Sequence, residues 1–208
     1  MKKISLILVL VSLSLTTIAQ DIKLPEPKRT GGKPLMDCLN ERKSVRTFDE
    51  NKQIDNQTLS NLLWAAWGYN RDDKRTAPSS RNKQEIDLYV AIPSGVYFWD
   101  AKANVLKLIV AKDLRKETGM QPFVEKASAN IIFVCNKTKA DAKNEQLLTE
   151  ATYANAGFIS QNIYLFCASE GLGSVIRGSV PKENLSRLLN LTPDQLILLA
   201  QSVGYPTK

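Results

Sequence analysis

None of the 208 residues is histidine. That absence removes Ser-His-Asp hydrolysis, the common zinc sites and the usual general base together. An enzyme of this composition leans on a cofactor for its chemistry. Cysteine is scarce too: Cys38, Cys135 and Cys167 are odd in number and widely spaced, which does not read as a disulfide framework. Cys135 lies in the strand-like run NIIFVCN and Cys167 in an apolar helical stretch, so both are expected to be buried small hydrophobes. The chain lacks a dense basic tract interleaved with aromatics, which argues against nucleic acid as a partner. It also lacks internal repeats and low-complexity tracts.

An apolar run long enough to span a bilayer comfortably is missing as well. The nearest is Ile4 to Leu15, preceded by Met1-Lys2-Lys3 and followed by Thr17-Ile18-Ala19. This pattern predicts a secretory signal peptide over residues 1–19, cleaved after Ala19, with a transmembrane anchor as the alternative. The residue immediately after the cleavage point is Gln20 rather than cysteine, which argues against a lipoprotein. The expected product is exported to the periplasm, with no stable membrane insertion after cleavage. Loss of Lys2 and Lys3 lowers the basic count from 28 to 26 against 21 acidic residues, a net charge of +5. Charge of that size suits anionic small molecules as readily as nucleic acid.

What is present fits one well-buried domain. Residues 20–34, with three prolines and two glycines, predict an extended linker. Helices are expected from Leu35 to Arg42 and from Asn56 to Gly68. The second is capped by Asp55 or Asn56 and buries Leu59, Leu62, Leu63, Ala66 and Trp67, while Trp64 falls off that face. Gly68 to Asp87 reads as a long polar loop. Strands follow in IDLYVAIP, GVYFWD and NVLKLIVA, the last two forming a hairpin over Ala101–Asn104. Helical turns are expected near Asp113–Thr118 and Pro122–Ala127, then a strand at Asn130–Asn136. The longest helix runs from Asn144 to Glu170, and its second half is so uniformly apolar that both sides call for cover. A strand in SVIRGSV, a helix from Pro181 to Asn190 and a final strand in DQLILLAQSVGYP complete the chain.

Three segments carry possible chemistry. In RKSVR, Arg42 and Arg46 can converge on a phosphate with the Ser44 hydroxyl between them, although a charged helix end also explains the pattern. In APSSRNKQ, Pro78 stiffens a loop whose Ser79, Ser80, Asn82 and Gln84 offer hydrogen-bonding groups to a heteroaromatic edge; a plain polar loop is the alternative. In EGLGSVIRGS, glycines admit close backbone approach to a ligand, while a helix C-cap accounts for Gly171 alone.

Together, in this order, RKSVR, PSSRNKQ and AGFISQNIYLFCASEGLGSVIRGS, with the closing VGYP, resemble the nitroreductase family of FMN-dependent oxidoreductases over residues 35–208. The hairpin GVYFWDAKANVLKLI and the following MQPFVEKASANIIFV look most like its SagB-type, thiazole/oxazole-forming dehydrogenase branch. The resemblance implies an α+β fold, a mostly antiparallel central sheet flanked by helices, in an intertwined homodimer with one FMN at each of two interface sites. It implies that Arg42 and Ser44 hold the flavin phosphate and ribityl groups and that Arg46 approaches the pyrimidine edge. Pro78, Ser79, Ser80 and Asn82 would reach across from the partner chain. Gln121 would set its amide against the ring, and Gly178 and Ser179 would present backbone N–H groups. The family usually carries a basic pair past the last strand, and in this sequence Lys208 would take that role. The activity implied is electron or hydride transfer from a donor to a small organic acceptor, with no side-chain nucleophile and no metal. The alternatives are a flavin-dependent dehydrogenase or dehalogenase using the same pocket, or a non-catalytic binder of flavin or another phosphate ligand. Substrate-side residues would fall in Gly68–Thr76 and Gly95–Asp100.

Overall fold

A computed structural model describes residues 20–140 and 144–207. The expected signal peptide and Lys208 lie outside the described residues. In chain order the elements are β1 (Ile22–Lys23), α1 (Leu35–Glu41), α2 (Asn56–Trp67), β2 (Tyr69–Arg71), β3 (Lys74–Arg75), β4 (Ile86–Ile92), β5 (Gly95–Asp100), β6 (Val105–Val110), β7 (Ala129–Asn136), α3 (Glu145–Ser169), β8 (Gly173–Arg177), α4 (Lys182–Leu188) and β9 (Gln195–Gly204). Seven strands form one sheet in the order β1-β6-β5-β4-β7-β9-β8, every neighbouring pair antiparallel. The fold is α+β, a central antiparallel sheet flanked by helices, as the family resemblance implied.

β7 shows why this sequence makes a sheet covered on both faces. Successive side chains of a strand point to opposite sides. Ala129, Ile131, Phe133 and Cys135 therefore pack with Leu59, Leu62, Leu63 and Trp67 of α2 and Ile159 and Ile163 of α3. Ile132 and Val134 face the other way, onto Leu114, Leu185 and Leu189. A run of eight residues with seven buried follows from that two-sided cover. Each large side chain so buried contributes about 1.5–3 kcal/mol. The helix ends are set by local chemistry. Asp55 accepts from the Thr58 N–H (2.7 Å), and Asn144 accepts from the Leu147 N–H (2.8 Å).

The expected linker is not free. β1 pairs with β6 at the sheet edge, Leu24 is buried, and the Pro25 carbonyl accepts from Ser60 Oγ and Asn104 Nδ2. Trp64, off the main helix face, is covered by this segment: Arg29 lies 5.4 Å from its ring. The expected polar loop is also corrected. Gly68–Asp87 contains the β2–β3 hairpin and a short 3-10 turn at Ser80–Asn82. Arg75 knits the hairpin down, donating to Trp67 O (2.7 Å) and Gln84 Oε1 (2.9 Å). Near Pro122–Ala127 the chain makes the expected turns, closed by bonds from the Val124, Lys126 and Ala127 N–H groups.

All three cysteines are free and buried. Burial pushes the Cys135 thiol up to about 11, with the nearby Glu85 charge adding to it, and raises the Cys167 thiol further. Thiolate, not thiol, is the nucleophile. Cys135 and Cys167 are expected to stay inert to a disulfide reagent at pH 8 in the native protein and to react fully in denaturant. Rapid labelling of either in the folded state would contradict their packing.

Candidate functional site

The RKSVR segment follows α1 and runs along the free edge of β8. Ser44 forms an isolated parallel bridge with Ser174, and the Val45 N–H donates to Ser174 O (2.9 Å). One side chain ties the region together. Tyr164 of α3 shares a 3.0 Å hydrogen bond with Ser44 Oγ, accepts from the Ile176 N–H at 3.0 Å, and lies beneath the Arg42 guanidinium, 5.5 Å from the ring centre. Arg42 is thus half-buried and oriented by a cation–π contact. Arg46 is exposed and holds no hydrogen bond or ion pair among the described residues. Lys43 is exposed and lines a cleft of about 500 Å³ with Val45, Tyr164 and Ser174.

β8 leads directly to exposed Gly178 and Ser179. The Ser179 carbonyl accepts from the Met120 N–H (3.4 Å), which places Gln121 beside them. Gln121 Oε1 is buried with no partner among the described residues, on a cleft of about 420 Å³ that Gly119 and Pro181 also line. A buried acceptor left open costs about 1–3 kcal/mol, so it suits a ligand N–H or O–H donor. A Cβ on Gly178 would meet no atom within 4 Å, so the backbone there faces open space. Arg42, Ser44, Arg46, Gln121, Gly178 and Ser179 are therefore brought to one edge of the sheet.

Pro78, Ser79, Ser80 and Asn82 are not. They precede β4, three strands from β8 and about 14 Å across the sheet. Their strand also begins far from the bridge between Ser44 and Ser174: Ile86 lies level with Cys135 and Leu196, whereas Ser174 lies level with Val203, about 23 Å further along. Within this loop Arg81, Asn82 and Gln84 all take left-handed backbone angles. That turns Asn82 inward, donating to Asp73 O (3.2 Å) and accepting from Gln84 Nε2 (3.0 Å). Ser79 Oγ accepts from the Gln84 N–H (3.0 Å). Both amides, expected to face a ligand, hold the loop against the β2–β3 hairpin. Ser80 and Pro78 remain exposed.

Two residues of this edge escaped sequence reasoning. Tyr164 is hidden in a helix with no polar pattern. Arg177 carried a signal that could have been followed, a lone cation inside the apolar strand SVIRGSV.

The nitroreductase family model matches residues 39–205. This chain belongs to the nitroreductase family. Membership makes it an oxidoreductase, and its sheet and helices are those of the nitroreductase fold. A candidate nitroreductase from Ralstonia eutropha JMP134 is 41% identical, covers 91% of both chains and superimposes with a TM-score of 0.85. Two more distant solved structures share the fold. The E. coli microcin synthetase McbBCD complex is 16% identical, with a TM-score of 0.72 over 89% of this chain and 78% of that one. The NADPH:FMN oxidoreductase of Vibrio harveyi is 21% identical, with a TM-score of 0.63 over 84% and 69%.

Proposed function

We propose that this nitroreductase is an FMN-dependent oxidoreductase that acts as a homodimer, each flavin being held between two chains. The observation that carries the reading is the division of the signature residues. One chain supplies Arg42, Ser44, Arg46, Gln121, Gly178 and Ser179 at the β8 edge, while its own Pro78–Asn82 segment precedes β4, three strands away. A second copy brings that segment to the site. FMN supplies two-electron chemistry when bound. The chain supplies charge and orientation: Arg42 and Ser44 suit a phosphate, and the unengaged Arg46 suits a pyrimidine edge that becomes negative. The orphaned Gln121 oxygen suits a ring donor. Vibrio harveyi NADPH:FMN oxidoreductase, which has this fold, supports the choice of cofactor.

The outer face of α3 supports the dimer. Ala154, Gly157, Phe158 and Gln161 are exposed on it, and Phe158 is 48% exposed. In α1, which packs on α3, Leu35, Met36 and Leu39 are also open to solvent. The sequence called for cover on both sides of α3, and a single chain covers one. A Cβ on Gly157 would meet nothing within 4 Å, which leaves room for a partner backbone.

In this reading residues 1–19 are a secretory signal, the activity lies outside the cytoplasm and FMN is taken up there. Nicotinamides are scarce in that compartment, so the donor in this reading is not NAD(P)H. The β5–β6 hairpin and the fold shared with the microcin synthetase complex support the SagB-type branch. The test is an absorbance spectrum of protein recovered from the exported fraction and beginning at Gln20, followed by trials of donors and small organic acceptors. A yellow protein whose spectrum bleaches with a donor and recovers with an acceptor is expected. A colourless protein that gains no flavin on incubation with FMN would sink the reading.

A further inference from the structure

Arg177 ends β8 immediately before Gly178, and only 4% of it is exposed. A buried guanidinium normally answers a carboxylate. This one answers none among the described residues. Its Nη1 donates to Thr118 O (2.7 Å), and its Nη2 donates to Asn130 Oδ1 (2.9 Å) and Thr118 Oγ1 (3.4 Å). Its Nε has no partner. Burial alone pushes its pKa down to about 10, leaving it charged at neutral pH.

The surroundings are shaped to admit it. A Cβ on Gly119 would fall 1.9 Å from Nη1. Gly119 itself is extended, a conformation open to any residue, so its glycine is explained by the guanidinium lying against it. Asn130 is held in turn by its own donation to Val124 O (2.8 Å) and by Ser202 Oγ donating to its Oδ1 (2.6 Å). Every acceptor around the cation is neutral. The network ties the 118–121 turn, β7 and β9 to the end of β8, beside Gly178 and Gln121, the two segments placed at the ring end of the proposed flavin site.

An uncompensated buried cation costs stability, and the fold offers no structural return that a neutral side chain could not supply. Its effect on a neighbouring anion is large, because the field is not quenched by a partner or by water. We propose that Arg177 is a fixed positive charge that favours the reduced, negatively charged state of the bound flavin, with Gly119 and Asn130 serving to seat it. The inference rests on the flavin reading above. Arg177 touches no ligand; it acts through its field and through the position of the 118–121 turn.

A unit charge at an effective dielectric of about 20 is worth about tenfold in an anion's equilibrium out to about 12 Å. For a two-electron couple, tenfold is about 30 mV. The experiment measures the midpoint potential of bound FMN against a reference dye, with dithionite as reductant. Arg177→Met is expected to lower the potential by about 30 mV, while Arg177→Lys keeps most of the wild-type value. Where Arg177→Met fails to fold, Asn130→Asp decides. It leaves the arginine in place, sets a carboxylate against its Nη2 and is expected to lower the potential by a similar amount. A wild-type potential in the folded Arg177→Met protein, or an equal fall in Arg177→Lys, overturns the inference. Failing a folded Arg177→Met, a wild-type potential in Asn130→Asp does so. Wild-type protein that takes up no FMN fails earlier, and removes the flavin reading together with this one.

Discussion

Alanine at Arg42 or at Arg46 lowers FMN affinity by about ten- to a hundredfold, whereas alanine at Lys43 changes it by less than about threefold. Hydrogen bonds to an ionised partner contribute about 1.5–3 kcal/mol each, and about 1.4 kcal/mol is a factor of ten. Arg42 is the better organised of the two arginines, because Tyr164 lies under its guanidinium and the helix end fixes its backbone: its N–H donates to Cys38 O. Arg46 is exposed and unengaged among the described residues, so its ordering is deferred to binding and part of its contribution is offset. The loss at Arg46 should therefore be the smaller. Titration of apo-protein with FMN, followed by flavin fluorescence, gives all three affinities. A Lys43→Ala loss equal to that of Arg42→Ala would return the segment to the charged helix end its composition also fits.

Phe158→Asp is expected to convert the protein to monomers and to abolish FMN retention in the same step. A stable interface buries about 1,200–2,000 Å² of surface, and its buried centre tolerates an unpaired carboxylate poorly. In the single chain Phe158 is exposed, so the substitution leaves the core of the monomer intact. The folded monomer should keep its circular dichroism and thermal transition while sedimenting at half the mass. Flavin loss follows from the divided site, since Ser79 and Ser80 of one chain lie far from Arg42 of the same chain. A variant that stays dimeric and yellow would move the interface off α3. A monomer that still holds FMN tightly would instead show that the β8 edge suffices alone.

Much of the fold was legible along the chain because its signals are local. Asp55 and Asn144 cap α2 and α3, the hydroxyl- and amide-bearing residues compete well for free N–H groups, and alternating apolar residues mark the strands. The RKSVR and Gly178–Ser179 segments were visible as motifs for the same reason. The β2–β3 hairpin was not, because its residues are polar and it is secured by Arg75 reaching Trp67 and Gln84. Nor was the docking of residues 20–34, where prolines and glycines suggest a linker while Leu24 and the Pro25 carbonyl find partners only once the sheet exists. Asn82 is an instructive difference. Its residue type promised a ligand contact, and its left-handed backbone spends that amide on Asp73 and Gln84.

By itself the sequence determined the family, the order of the elements and the chemistry that is excluded. With no histidine and three isolated cysteines, hydrolytic triads and thiol frameworks were never open to this chain. Tertiary structure alone decided which charged and polar groups share a site. Sheet order carries β8 and β4 apart although both border signature segments, and register sets the bridge between Ser44 and Ser174 about 23 Å along the strands from the start of β4. It also decided that Arg177 is buried among neutral acceptors rather than paired. The reason is physical: periodicity and capping act over one or two turns, whereas burial, register and the field at a point are sums over strands distant in the chain.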